Sequence, residues 1–156
     1  MILYFLRHGD AEQTTGIRDQ DRKLTEKGIA RTHNAAKVLT ALAIQPAHIF
    51  SSPRVRAKQT AEIIASALNQ TVEIREELDF DFNLAALRPL LNGMAADAEI
   101  MLVGHNPSMS EVISELTGAQ IDMKKGGLAR IDLLSASTGE LIWLIAPKVF
   151  DAIVPG

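Results

Sequence analysis

The sequence predicts an α/β protein: a three-layer α/β/α sandwich on a mainly parallel sheet, with an antiparallel strand near the C-terminus. Three observations predict it. Short apolar runs at residues 1–6, 47–51 and 99–104 read as buried strands. Segments with helical spacing follow them, and strand–helix alternation is the pattern of a parallel sheet covered on both faces. The alternation then stops. Residues 128–134 and 140–145 are two strand-like runs joined by Ser135-Ala136-Ser137-Thr138-Gly139, a link that suits an antiparallel hairpin.

Taken in order, the first strand (Met1 to Leu6) ends abruptly on Arg7-His8-Gly9. Residues 10–23 are polar and aperiodic and read as a loop over the strand edge. Thr25 is placed to cap a helix that continues through Ile29, Ala36, Leu39 and Ala43. On that face His33 is expected to be partly buried. Gln45-Pro46 breaks the chain, and residues 47–51 form the second strand, with His48 expected at the surface. Ser52-Pro53 reads as an N-cap followed by a first-turn proline, opening a helix to Asn69 with Arg54 and Arg56 in its first turn. Residues 71–74 alternate as a third strand, and 83–91 read as a helix interrupted by Pro89. Residues 99–104 form the fourth strand. Asn106-Pro107 repeats the cap-and-proline signal, and Gly118 stops the helix that follows.

With 156 residues, a single domain over 1–156 with a real core is expected. Sixteen basic residues against 19 acidic ones leave a net charge of −3. That disfavours nucleic acid as a partner and leaves room only for a local basic pocket. There is no cysteine, which excludes disulfides, thiol catalysis and cysteine-ligated metals. Arg7, Asp10 and Glu12 follow the apolar start at once, so no signal peptide or membrane span fits. A cytoplasmic protein without a membrane partner is expected.

Three strand ends carry matching equipment. The first presents Arg7, His8 and Gly9. The second leads into a helix N-terminus bearing Arg54 and Arg56. The fourth presents Gly104, His105 and Asn106 before another helix. Parallel strands bring these ends to one edge, where ligands of open α/β sheets bind. Two histidines, at least two arginines and two helix N-termini all favour an anion, and phosphate fits best. A metal held by His8 and His105 is disfavoured, because neighbouring arginines repel a dication and no carboxylate shows ligand spacing.

Leu6-Arg7-His8-Gly9-Asp10-Ala11-Glu12, Ser51-Ser52-Pro53-Arg54-Val55-Arg56-Ala57-Lys58-Gln59-Thr60-Ala61 and Val103-Gly104-His105-Asn106-Pro107 resemble, in order and spacing, the three signature blocks of the histidine phosphatase (phosphoglycerate mutase-like) superfamily. The short chain, Asp10, and Arg22-Lys23-Leu24-Thr25 are similar to its bacterial SixA-type phosphohistidine phosphatases. The resemblance implies that His8 is the nucleophile and forms a transient phosphohistidine. It implies that Arg7, Arg56 and His105 bind the phosphoryl oxygens, with Arg54 at the rim. Gly9, Arg22, Gly104 and Asn106 are the expected substrate-binding residues, and no metal or other cofactor is needed. A proton donor is not marked by a motif. Asp10, Glu76, Glu77, Asp79 and Asp81 are the candidates, and Glu77, after the third strand, is the one selected. The expected substrate is a phosphorylated protein carrying phosphohistidine. An imidazole leaving group has a pKa of about 6.5 and departs with a weak donor. A small phosphorylated substrate and a non-catalytic phosphoprotein-binding module are the alternatives. Lys124-Lys125-Gly126-Gly127 reads as a solvated turn that could also touch substrate.

Overall fold

The computed structural model describes residues 1–13 and 15–154. Thr14, in the expected loop, and residues 155–156, at the end of the expected domain, lie outside them. Among the described residues six strands form one sheet: β1 (Ile2–Arg7), β2 (His48–Ser51), β3 (Val72–Ile74), β4 (Glu99–Gly104), β5 (Leu128–Leu133) and β6 (Gly139–Ile145). Five α-helices cover it: α1 (Glu26–Ala41), α2 (Val55–Ala67), α3 (Leu84–Leu91), α4 (Ser108–Thr117) and α5 (Pro147–Ile153). The strand order is β3-β2-β4-β1-β5-β6. The first four are parallel, β5 runs antiparallel to β1, and β6 returns antiparallel to β5. The α/β architecture and its C-terminal hairpin are those the sequence predicts.

The alternation of side chains along β1 divides the core. Tyr4 and Leu6 pack with α1, α2 and Phe150 of α5 on one face. Leu3 and Phe5 pack with α3, α4, Leu78 and Phe82 on the other. Helices on both faces of a central strand make β1 fully buried, which explains its unbroken apolar run. Truncating Phe5, which is 0% exposed, to Ala removes about 3–5 kcal/mol of stability, readable by denaturant unfolding.

Several local expectations are corrected. Thr25 does cap α1, accepting from the Gly28 amide at 3.0 Å. Yet the buried face of α1 is Gly28, Thr32, Ala35, Ala36, Val38 and Leu39, while Ile29, His33 and Ala43 are exposed. The reason is close approach. A Cβ at Gly28 would overlap the Asp10 carbonyl, so α1 turns Gly28 toward the strand-edge loop and the rest of that face into the core. Helix α2 starts at Val55 with no side-chain cap, and α4 starts at Ser108, after a cis Asn106-Pro107 bond. Neither Ser52 nor Asn106 is the N-cap of its helix: the Ser52 hydroxyl accepts the Arg54 amide at 3.3 Å ahead of α2 and also meets His105, and the Asn106 amide donates to Met123 O. Helix α5 lacks a predicted counterpart: its seven residues show no periodicity, and tertiary contacts hold it. Phe150 inserts into the α1–α2 face, and Asp151 accepts from Arg31 and Asn34 of α1.

Candidate active site

The register of the central strands sets the site. Arg7 of β1 lies opposite Gly104 of β4, and the His8 amide donates to the Gly104 carbonyl at 3.0 Å. Ser51 of β2 pairs with Val103 on the other side of β4. The C-terminal ends of β1, β4 and β2 thus stand side by side, and the His8 and His105 rings are 5.2 Å apart.

Two contacts define the protonation of His8. Its Nδ1 is 2.7 Å from the Gly9 carbonyl, and the Arg56 Nε–H points at its Nε2 from 3.3 Å. A carbonyl only accepts and an arginine only donates. The proton therefore sits on Nδ1, and Nε2 keeps its lone pair. The pKa is pushed down to about 4, first by burial and then by the charges of Arg56, Arg7 and Arg22, with the bond to Gly9 acting the other way. Arginines do hold His8 neutral, as the sequence suggested, but burial is the larger cause.

His105 is 1% exposed and is held differently. Its Nε2 is 2.8 Å from the Ser52 hydroxyl, while Nδ1 is buried with no partner among the described residues. Burial, then His8 and Arg56, push its pKa down to about 3, against the pull of Asp79. The Nε of Arg7 is likewise buried and unpartnered, although its Nη1 donates to the Met123 carbonyl at 2.7 Å. Two buried polar atoms without partners are costly unless a ligand meets them.

A carboxylate gathers the remaining cations. Asp19, in a short 3₁₀ turn of the loop, receives Arg22, Arg54 and Arg56. Burial opposes its ionisation, but hydrogen bonds from Arg56 and Arg22 hold its carboxyl below the usual range. Arg54 also donates to Asp79 at 2.6 Å and lies over the Phe80 ring, 3.7 Å from its centre. Phe80 in turn meets His105 edge-on at 4.8 Å. The site is a cationic cleft with an aromatic wall.

The histidine phosphatase superfamily (branch 1) model matches residues 3–82, a stretch that carries Arg7, His8 and Arg56. The chain belongs to that superfamily. It is 36% identical over 163 aligned positions to an uncharacterized protein of Picosynechococcus sp., covering 95% of this chain and 98% of that one. It is 26% identical to the phosphohistidine phosphatase SixA of Escherichia coli, covering 94% of each. Its fold is that of the protein histidine phosphatase SixA solved with tungstate: TM-score 0.86 at 24% identity, covering 96% of this chain and 99% of that chain. The helices and mixed sheet of this superfamily member are thus the SixA arrangement. His105 lies beyond the stretch matched by the family model, and the β1–β4 register brings it to His8.

Of the expected site residues, the structure brings Arg7, His8, Arg56 and His105 together. Gly9 lends its carbonyl to His8 and its amide to Thr60 Oγ1 at 3.1 Å. Gly104 contributes backbone, and a Cβ there would come within 3.2 Å of the Leu78 carbonyl. Arg22 reaches the cluster through Asp19, its Nε donating to the Glu12 carbonyl at 2.6 Å. Asn106 stands one carbonyl away from Arg7. Its amide donates to Met123 O at 3.2 Å while its own oxygen accepts from Ser110. Glu77 is not brought to the histidines. It forms an ion pair with Arg75, whose hydrogen bonds hold the Glu77 carboxyl below its usual range. Asp79, two residues on, is the acid that reaches the site, 4.0 Å from His105 Nε2. Asp10 is occupied by the Thr25 hydroxyl at 2.8 Å.

Asp19, Thr60, Phe80 and the Met123 carbonyl were not read from the sequence as parts of the site. Thr60 had a usable signal, because it stands one turn after Arg56 on α2 and its hydroxyl also donates to the Arg56 carbonyl. Asp19 sits in an aperiodic loop and Met123 acts through its backbone, so neither carries a pattern.

Proposed function

We propose that the chain is a phosphatase that removes the phosphoryl group from phosphohistidine on a protein, through a covalent phosphohistidine on His8. The observation that carries this reading is the His8 tautomer: a buried, neutral imidazole whose Nε2 lone pair faces the Arg56 guanidinium. An anion drawn to Arg56 is thereby drawn to the nucleophile.

In the first step Nε2 of His8 attacks phosphorus and the substrate P–N bond breaks. Its electron pair goes to the departing imidazole, which takes a proton from solvent. Arg7, Arg56 and Nδ1 of His105 clamp the phosphoryl oxygens in flight, which is the electrostatic and positional work phosphoryl transfer requires. The Nδ1–H of His8 stays on the Gly9 carbonyl, so the phosphorylated ring is cationic and a good leaving group. In the second step water attacks phosphorus, the P–Nε2 bond breaks, and inorganic phosphate and neutral His8 are released. Arg54 and Arg22 position Asp19, which gives up its arginines as the phosphoryl group enters. Guanidinium groups supply the charge neutralisation, so activity without added metal is expected.

The test is a rapid-quench reaction with a phosphohistidine protein, followed by mass spectrometry of the enzyme. Phosphate on His8, absent in His8→Ala, is the expected result, and full turnover by His8→Ala would overturn the mechanism. A second reading, hydrolysis of small phosphate monoesters, is favoured by Asp79. Asp79 is the candidate acid nearest the histidines, 4.0 Å from His105 Nε2, and on this reading it leaves Arg54, which donates to it at 2.6 Å, to protonate a basic alkoxide. A loss on Asp79→Asn confined to monoesters would select it.

A further inference from the structure

Arg7 faces two places. Besides meeting the histidines, it lines a separate cavity of about 360 Å³ that neither His8, His105 nor Arg56 lines. Four other cations share that wall: Lys27, Arg31, Lys124 and Lys125. Against them stand two carboxylates, Asp10 and Asp122, so the cavity carries an excess of three positive charges in a chain whose net charge is −3. Some of these cations are satisfied. Lys124 pairs with Asp122 at 2.8 Å, and Arg31 with Asp151 at 2.8 Å. Lys125 meets Asp10 only at 3.8 Å, and Lys27 has no ion pair among the described residues. The Nε of Arg7 is buried and unpartnered.

The excess stands beside the transfer site, with Arg7 common to both. We infer that this cavity is a subsite for a second anionic group, a carboxylate carried by the same phosphorylated substrate. A carboxylate rather than a second phosphate fits the chemistry of the wall. With Lys124 and Arg31 already paired and Lys125 loosely held by Asp10, the charge left to offset is small and suits one singly charged group better than a phosphate dianion. The inference rests on the reading of His8 and Arg7 as the phosphoryl site. It adds the specificity: substrates with an acidic group near the phosphoryl group are preferred. That group is either an acidic side chain flanking the phosphorylated residue or the carboxylate of a small phosphorylated acid.

Two substrate pairs test it. One is a phosphohistidine peptide flanked by glutamates against the same peptide flanked by glutamines. The other is O-phosphoserine against O-phosphoethanolamine, which lacks the carboxylate. Each is measured with the wild type, with Lys27→Gln/Lys125→Gln and with Lys27→Glu/Lys125→Glu. Wild type favours the carboxylate-bearing member of at least one pair by about tenfold in kcat/KM, on the scale of two partly screened ion pairs. The glutamine variant brings that ratio to within about twofold while leaving the carboxylate-free member unchanged, and the glutamate variant inverts it. Raising salt toward 1 M, where charges are screened within about 3 Å, erases the wild-type preference. The responding pair identifies the source of the carboxylate. A wild-type ratio near one in both pairs, or an equal fall of both members in the variants, overturns the subsite. Failure to hydrolyse either phosphohistidine peptide, with the ester pair still turned over, overturns the phosphohistidine reading while the ester ratio still tests the subsite.

Discussion

Strands β1 and β4 end side by side, each followed at once by a histidine, and the two ends are finished differently. At the end of β1, His8 has both ring nitrogens engaged: Nδ1 on the Gly9 carbonyl and Nε2 facing Arg56. At the end of β4, His105 is tied through Nε2 to Ser52 and leaves Nδ1 without a partner. Both are buried and both resist protonation. Burial alone therefore does not separate the proposed nucleophile from the proposed clamp. The partners do: a carbonyl and a guanidinium give His8 a directed lone pair, whereas a hydroxyl leaves His105 a free position for a ligand oxygen.

The largest expected effect breaks the comparison at its strong end. His8→Ala lowers kcat by about 10⁴-fold or more and abolishes the phosphoenzyme, as removal of a nucleophile does. His105→Ala costs about 10²–10³-fold, the scale of one oxyanion donor, and still shows phosphate on His8 by mass spectrometry. Equal losses without a phosphoenzyme in either variant would make the two histidines one inseparable unit.

A smaller effect sharpens the difference in their partners. Ser52→Ala loses about one hydrogen bond to His105, giving roughly a three- to tenfold fall in kcat/KM. The imidazole NMR signals of His105 should shift while those of His8 stay. Asn106→Ala, which releases the Met123 carbonyl that holds Arg7, is expected to raise KM by a few fold with the His105 signals unmoved.

The pH dependence treats the two ends alike and so tests what they share. Above about pH 6.5 both rings are neutral whether the chain is folded or not. As pH falls below that, the unfolded chain takes up protons that the folded chain refuses, until about pH 4 for His8 and about pH 3 for His105. Stability is thus lost as pH falls from about 6.5 toward 4 and then 3. Urea unfolding at pH 7 and pH 5 reads this, with a shallower dependence expected in His105→Gln. The acidic limb of kcat/KM, after division by the substrate's own ionisation, lies near pH 4 instead of 6.5. The smallest expected effect is Glu77→Gln, less than about twofold on turnover, since that carboxylate is spent on Arg75 at the protein surface.

The fold, Arg7, His8 and His105 were legible in local signals, whereas Arg56 was singled out over Arg54 only by the resemblance of its block to the family's. Apolar runs of strand length, helical spacing after each of them, and Arg-His-Gly or Gly-His at a strand end are written in contiguous residues. Ser52 and Asn106 show where such signals mislead. Each precedes a proline and looks like a helix cap, and each instead reaches a partner well along the chain: His105 for Ser52, and the Met123 carbonyl for Asn106. Glu77 was selected as the acid by its position after a strand, but Arg75, two residues away, takes it, and Asp79 faces the site.

The sequence by itself determined the α/β layering, the parallel edge that collects Arg7, His8, Arg56 and His105, and the cationic character of that edge, because strand and helix periodicity and side-chain charge are properties of short segments. Tertiary structure alone decided which nitrogen of His8 carries the proton, which carboxylates meet the arginines, and that Lys27 and Lys125 share a wall with Arg7. Those depend on distances between segments tens of residues apart, set by the β1–β4 register and the docking of α1, α2 and α5, and no local pattern encodes them.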